Sequence, residues 1–123
     1  MTQAEPETRV GRVCALLNAS GAKYVLVGAS AMQLWGTTRA TRDVDILIEP
    51  SEQNARRVLE ALSHLPLAIA NEWLASDIVK RPVTIIGDMP NVDILTVAWS
   101  VWYRDAAPAA TVTSALFETA PLP

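Results

Sequence analysis

The stretch Thr41-Arg42-Asp43-Val44-Asp45-Ile46-Leu47-Ile48 sets two aspartates at the start of an apolar strand. Side chains alternate along a strand, so Asp43 and Asp45 lie on the same face. Aspartate is rare in strands, and two close carboxylates repel each other unless a cation or a proton lies between them. A pair of divalent cations would explain the pattern. A polar rim on a strand that enters from solvent is the alternative.

The segments around this strand predict an α/β (α+β) fold, a mixed β-sheet with helices packed on it. Apolar residues at helical spacing, turn formers and short apolar runs define the elements. Residues 66–80 stay ambiguous, with 67–70 either a strand or the start of a short helix and 73–79 weakly helical. The predicted helices are 7–19, 31–35, 51–63 and 99–104, and the predicted strands are 23–27, 43–48, 83–86, 92–97 and 110–118.

Length and composition restrict the class of protein. A chain of 123 residues, half of them hydrophobic, predicts a single folded domain over 1–123 and excludes disorder. A net charge of −3 argues against a general affinity for duplex nucleic acid. Cys14 is the only cysteine and is expected to be a reduced core residue. The polar N-terminus and the lack of an apolar run of about 20 residues predict a cytoplasmic protein without a membrane partner.

A phosphate site is predicted where the first strand ends. Gly28-Ala29-Ser30 follows this strand and opens a helix, whose N-terminus carries unpaired N–H groups and a partial positive charge. Gly28 allows close approach of the backbone, and Ser30 adds a hydroxyl. Arg39 and Arg42 are candidates to neutralise phosphate charge. Tight packing at the turn and ordinary loop charge are the alternatives.

Asp93 is the third candidate carboxylate. It lies in the apolar strand Val92-Asp93-Ile94-Leu95, which directly follows a turn, and it is followed by the same kind of apolar tail as Asp45. If the two strands pair, neighbouring side chains lie about 5 Å apart, and Asp93 completes a three-carboxylate site with Asp43 and Asp45. Such a site suits two-metal phosphoryl or nucleotidyl transfer, with Asp93 as metal ligand or general base.

These motifs resemble the DNA polymerase β-type nucleotidyltransferases. The turn Val27-Gly28-Ala29-Ser30, the run from Gly36 to Asp45 and the run Val92-Asp93-Ile94-Leu95-Thr96 are similar to the small prokaryotic minimal and AbiEii-type members. The resemblance covers residues 24–97. It implies a nucleotidyltransferase fold in which Gly28 and Ser30 hold the triphosphate of an NTP such as ATP. It also implies that Asp43, Asp45 and Asp93 are the Mg²⁺ or Mn²⁺ ligands.

The resemblance predicts transfer of an NMP from an NTP to a hydroxyl of a tRNA end, a protein side chain or a small molecule, within a toxin–antitoxin system. The alternative is a non-catalytic binding module of the same fold, one half of a two-protein system. Ala29 stands where the family has Gly or Ser. The family's C-terminal helical region has no counterpart before Pro121-Leu122-Pro123, which indicates a longer natural chain or a partner that supplies this wall. Association with itself or a partner is expected through the segment of Trp99 and Trp102.

Overall fold

A computed structural model describes residues 9–27, 43–98 and 101–106 of the chain. The predicted helix 31–35 and strand 110–118 lie outside these residues. The helices are α1 (Arg9–Ser20), α2 (Glu52–Leu62), α3 (Ala75–Val79) and α4 (Tyr103–Ala106), with a 3₁₀ turn at Ile69–Glu72. The strands are β1 (Tyr24–Val27), β2 (Asp43–Ile48), β3 (Val83–Ile86), β4 (Asn91–Leu95), β5 (Val97–Ala98) and β6 (Val101–Trp102).

Four of these strands form one mixed sheet in the order β1-β2-β4-β3. β1 and β2 are antiparallel, β2 and β4 are parallel, and β4 and β3 form an antiparallel hairpin. The parallel pair requires a long crossover, and α2, the 3₁₀ turn and α3 all lie within it. The predicted mixed sheet with packed helices and the predicted hairpin are therefore confirmed.

The helices α1, α2 and α3 cover one face of the sheet and enclose the main core. The alternate residues of the strands point into this core, as period-two alternation requires. The other face carries the remaining residues, and there Val27 and Tyr103 of α4 pack against Val25. Residues that are fully buried in the core include Leu17, Val44, Ile46, Ile48, Val58, Leu62, Ile78 and Ile86.

The start of α2 follows the predicted pattern. Ser51 is the N-cap, and its hydroxyl accepts a hydrogen bond from the Asn54 N–H at 3.1 Å. The buried stripe of the helix contains the predicted Ala55, Val58, Leu59 and Leu62. Asn54 is also buried, which the helical pattern did not predict, and its role is structural.

The Asn54 side chain joins three backbone segments. Its Nδ2 donates to the carbonyl oxygens of Lys23 and Glu49, both at 2.9 Å, and its Oδ1 accepts from the Lys23 N–H at 2.7 Å. Lys23 precedes β1 and Glu49 follows β2, so one amide holds the β1–β2 pair against the first turn of α2.

Two predicted elements are corrected. The predicted strand 92–97 stops at Leu95. The Thr96 N–H still donates to the Pro82 carbonyl at 3.0 Å, but proline has no N–H to return a bond, so the ladder between β3 and β4 ends there. The predicted helix 99–104 is wrong at Val101 and Trp102, which form β6 and pair antiparallel with β5, and α4 begins only at Tyr103; residues 99 and 100 lie outside the described residues. In the ambiguous region, the 3₁₀ turn and α3 settle the alternatives in favour of helix.

Asp88 connects the β3–β4 turn to the loop before the 3₁₀ turn. Its carboxylate is buried and accepts hydrogen bonds from the N–H groups of Leu67, Ile69 and Met89 at 2.7–3.1 Å. Burial would raise the pKa of this carboxyl, but the backbone donors of Leu67, Ile69, Met89 and Ala68 lower it overall. Ala68 is held here in the left-handed conformation, with φ at 53°.

We expect Asp88→Asn to lower the free energy of unfolding by about 2 kcal/mol at pH 7. The substitution removes one of the two acceptor oxygens and the negative charge that strengthens the three backbone hydrogen bonds. The folded-state pKa of Asp88 lies below its unfolded value. Its contribution is therefore present above the unfolded pKa, near 3.9, and is lost as the pH falls through the folded pKa. Urea unfolding at pH 7 and at lower pH measures this. Asp105→Asn, at an exposed position, is the control, and a gap between wild type and Asp88→Asn that widens in acid would contradict the assignment.

Candidate functional site

A single row of side chains crosses all four strands on the face opposite the helical core. The register pairs Val27 with Asp45, Asp45 with Asp93, and Asp93 with Ile85. The two aspartates occupy the two central strands of the sheet, where no edge gives them free access to solvent from the side. Both are half-buried.

The parallel pairing of β2 and β4 places two nearly identical sequences side by side. Asp43-Val44-Asp45-Ile46-Leu47 runs beside Asn91-Val92-Asp93-Ile94-Leu95, residue against residue. The apolar Val and Ile of each strand are buried in the core, which fixes the direction of the alternating residues between them. The polar residues at the start of the two strands therefore lie next to each other on the outer face, Asp43 beside Asn91 and Asp45 beside Asp93.

Asp45 and Asp93 interact directly. Burial, a side-chain hydrogen bond to Asp93, the charge of Asp93 and the charge of Asp43 together raise the pKa of Asp45 to about 6. A hydrogen bond between two carboxyl groups needs a proton on one of them. Without a cation the pair therefore holds a proton well above the usual pH range of aspartate, and it forms a compact site of negative charge.

Asn91 is a further polar residue of the site, although the sequence pattern placed it in the preceding turn. Its Nδ2 donates to Oδ1 of Asp93 at 3.0 Å, and its Cα partner on β2 is Asp43. This contact orients the Asp93 carboxylate. The signal was the repeat itself, since Asn91 stands two residues before Asp93 as Asp43 stands before Asp45.

Asp43 lies at the exposed start of β2, and its charge acts on Asp45. Gly28, Ser30, Arg39 and Arg42 lie outside the described residues. Within the described ranges, no group of three or more His, Cys, Asp or Glu side chains is arranged to hold a metal ion. Val27, which directly precedes Gly28 in the sequence, is the Cα partner of Asp45.

A groove of about 380 Å³ lies elsewhere, between the exposed side of α2 and the segment from the 3₁₀ turn to α3. Trp73 lines it, with the Arg81 guanidinium 5.1 Å from its ring centre. Arg56 also lines it and forms an exposed ion pair with Glu52 at 3.5 Å. The groove is remote from the aspartate row and contains only solvated charges. Asp45 and Asp93 are therefore the stronger candidate site.

We expect Asp45→Asn to stabilise the metal-free protein on the order of 1 kcal/mol at pH 7.5, since it removes repulsion at a partly solvated site. The folded-state pKa of Asp45 is raised from 3.8 to about 6. The stability contributed by its proton is therefore complete below the unfolded pKa and is lost as the pH rises through about 6. Wild type should lose stability between these values and the variant should not. Thermal unfolding in EDTA across this range measures the difference, and a variant that unfolds at every pH would make Asp45 a structural residue.

Comparison with family models, curated proteins and solved structures finds no match for this chain. Among the helices in the described residues, none has the length and apolar character to cross a membrane.

Proposed function

We propose that the chain is an Mg²⁺-dependent nucleotidyltransferase with a nucleotidyltransferase-like fold over its single domain. The observation that carries this proposal is the contact between Asp45 and Asp93 on adjacent central strands, beside the end of β1. The reaction moves an NMP from an NTP to a hydroxyl of a tRNA end, a protein side chain or a small molecule. A cytoplasmic location and a place in a toxin–antitoxin system go with this proposal.

The carboxylates suit a hard cation. Mg²⁺ is commonly held by one or two carboxylates together with substrate phosphates, so Asp45 and Asp93 are enough to anchor one ion, with Asp43 as a further ligand. The raised pKa of Asp45 supports this choice, because a cation would relieve the repulsion that the proton now relieves. When bound, the metal neutralises phosphate charge and activates the acceptor hydroxyl.

The side chains have separate roles in this proposal. Asp93, oriented by Asn91, accepts the proton of the acceptor hydroxyl or holds the ion beside it. Gly28 and Ser30 follow β1, whose last residue is paired with Asp45, and they would bind the triphosphate. Arg39 and Arg42 would compensate its charge.

A non-catalytic binding module is the second candidate. Two observations favour it: Ala29 in the turn, and the finding that the described residues contain no group of three or more metal donors. In this case the chain would bind a nucleotide or a partner through the same face without transferring a group.

The test combines binding and transfer. The protein is incubated with each α-³²P-labelled NTP, Mg²⁺ and a cell extract, and its melting temperature is measured with each NTP in Mg²⁺ and in EDTA. Labelled acceptor together with a Mg²⁺-dependent thermal shift supports the enzyme. A shift without labelled acceptor supports the binding module, and the absence of both refutes the enzyme and nucleotide binding by the module.

A further inference from the structure

Among the described strands, β3 forms one edge of the four-stranded sheet, and the direction of its backbone hydrogen-bonding groups can be assigned. The Thr96 N–H donates to the carbonyl of Pro82 at 3.0 Å, so the backbone groups of residue 82 point toward β4. Direction alternates along an antiparallel strand, so Thr84 and Ile86 also bond to β4. The N–H and C=O groups of Val83 and Ile85 therefore point away from the sheet.

Within the described part of the chain, this edge has no charged side chain to oppose pairing with another chain, and its protection is limited to its four-residue length and to Pro82 directly before it. Natural edge strands carry charges, bulges or inward-pointing lysines. Val83-Thr84-Ile85-Ile86 contains no charged residue, and its outward side chains are β-branched and apolar, with Val83 43% and Ile85 59% exposed. Such residues favour a strand neighbour.

Thr84 is an independent observation on the same strand. Its side chain is 2% exposed, and its Oγ1 has no hydrogen-bond partner among the described residues. A buried hydroxyl without a partner is costly, and Thr–Thr hydrogen bonds between neighbouring strands are a common solution. A strand added at this edge could supply the missing partner.

We propose that β3 pairs with β3 of a second copy of this chain, antiparallel and about a two-fold axis perpendicular to the sheet. Side chains opposite each other must share a face, so Val83 pairs with Ile85 of the second copy and Thr84 pairs with its own equivalent. Because Val83 and Ile85 carry the outward groups, both of their pairs are hydrogen-bonded. The strand is thus complementary to itself in register, hydrogen bonding and side chains.

The dimer has an eight-stranded sheet with both aspartate sites on one face. The two Asp93 residues are three strand spacings apart, with an offset of two residues, a distance of ~16 Å. This interface is independent of the proposed function and differs from the one predicted around Trp102, which is itself 42% exposed.

The first test measures association of the full chain by analytical ultracentrifugation up to about 100 µM. Wild type should form dimers, and Ile85→Lys should weaken the dimer at least ~10-fold, because the substitution removes the apolar contact with Val83 of the second copy and places a lysine on the sheet edge. Leu74→Lys is the matched control, since Leu74 is 66% exposed and lies in the groove region. A wild-type monomer at all concentrations, or a dimer weakened by Trp102→Ala or Leu74→Lys but not by Ile85→Lys, would overturn the proposal.

The second test determines the register of the two β3 strands by disulfide cross-linking, which traps even a weakly associating dimer. The backbones of Thr84 and its equivalent exchange no hydrogen bonds in this register. In such a pair the Cα atoms are about 4.5 Å apart, which is within reach of a disulfide. Thr84→Cys should form a cross-linked dimer on mild oxidation, and mass spectrometry should place the disulfide between the two substituted positions. Thr96→Cys and wild type should not cross-link, because Thr96 lies on the β4 side of the hairpin and Cys14 lies on α1, both away from the proposed contact between the two β3 strands. A folded Thr84→Cys protein that stays monomeric on oxidation would exclude this register.

Discussion

Replacing either central aspartate, by Asp45→Asn or Asp93→Asn, is expected to reduce nucleotidyl transfer by more than ~10²-fold while the domain stays folded. The two carboxylates are neighbours in register, and both would contact the same ion. An amide keeps the size of the side chain but removes the charge that binds Mg²⁺. Initial rates at saturating Mg²⁺ and NTP, with far-UV circular dichroism on the same samples, measure the effect.

Two controls make this result specific. Asp105→Asn removes a charge from an exposed position on α4 and should leave the rate unchanged. Asn91→Ala frees the Asp93 carboxylate from its 3.0 Å hydrogen bond and should lower the rate by a smaller factor, on the order of 10-fold. Near-wild-type transfer by both aspartate variants would place the reaction elsewhere.

Asn54→Asp is expected to destabilise the fold by about 3 kcal/mol at pH 7. The substitution replaces an amide that donates to the Lys23 and Glu49 carbonyls with a carboxylate that can only accept. Two carbonyl oxygens would then face a buried negative charge. Chemical denaturation at pH 7 measures the loss, and acid should restore part of it because a protonated carboxyl can donate one bond.

Gln53→Glu is the matched control for Asn54→Asp. It makes the same change from amide to acid one residue earlier in α2, where the side chain is exposed and a negative charge near the helix N-terminus is tolerated. Its stability should lie within about 0.5 kcal/mol of wild type. If both variants lose the same stability, net charge is the cause and Asn54 does not hold the β1–β2 pair.

Short-range sequence patterns predicted much of the secondary structure correctly. Helical spacing predicted α1 and α2, and Ser51 marked the start of α2 because an N-cap acts through neighbours only three residues away. The turn formers before Asn91 predicted the β3–β4 hairpin. The same patterns failed at Thr96, because β4 ends opposite Pro82, which has no N–H to continue the ladder, although residues 92–97 have the composition of a strand.

By itself, the sequence determined that Asp43 and Asp45 share a face and that Asp93 lies in a second strand of the same pattern, because alternation is a property of one strand. Only the tertiary structure decided that β2 and β4 run parallel with Asp45 beside Asp93, and that Asn54 and Asp88 are buried against distant backbone. Pairing and register depend on how the intervening helices pack. The free energy of that packing comes from contacts between residues far apart in the chain, so it cannot be inferred from a local sequence pattern.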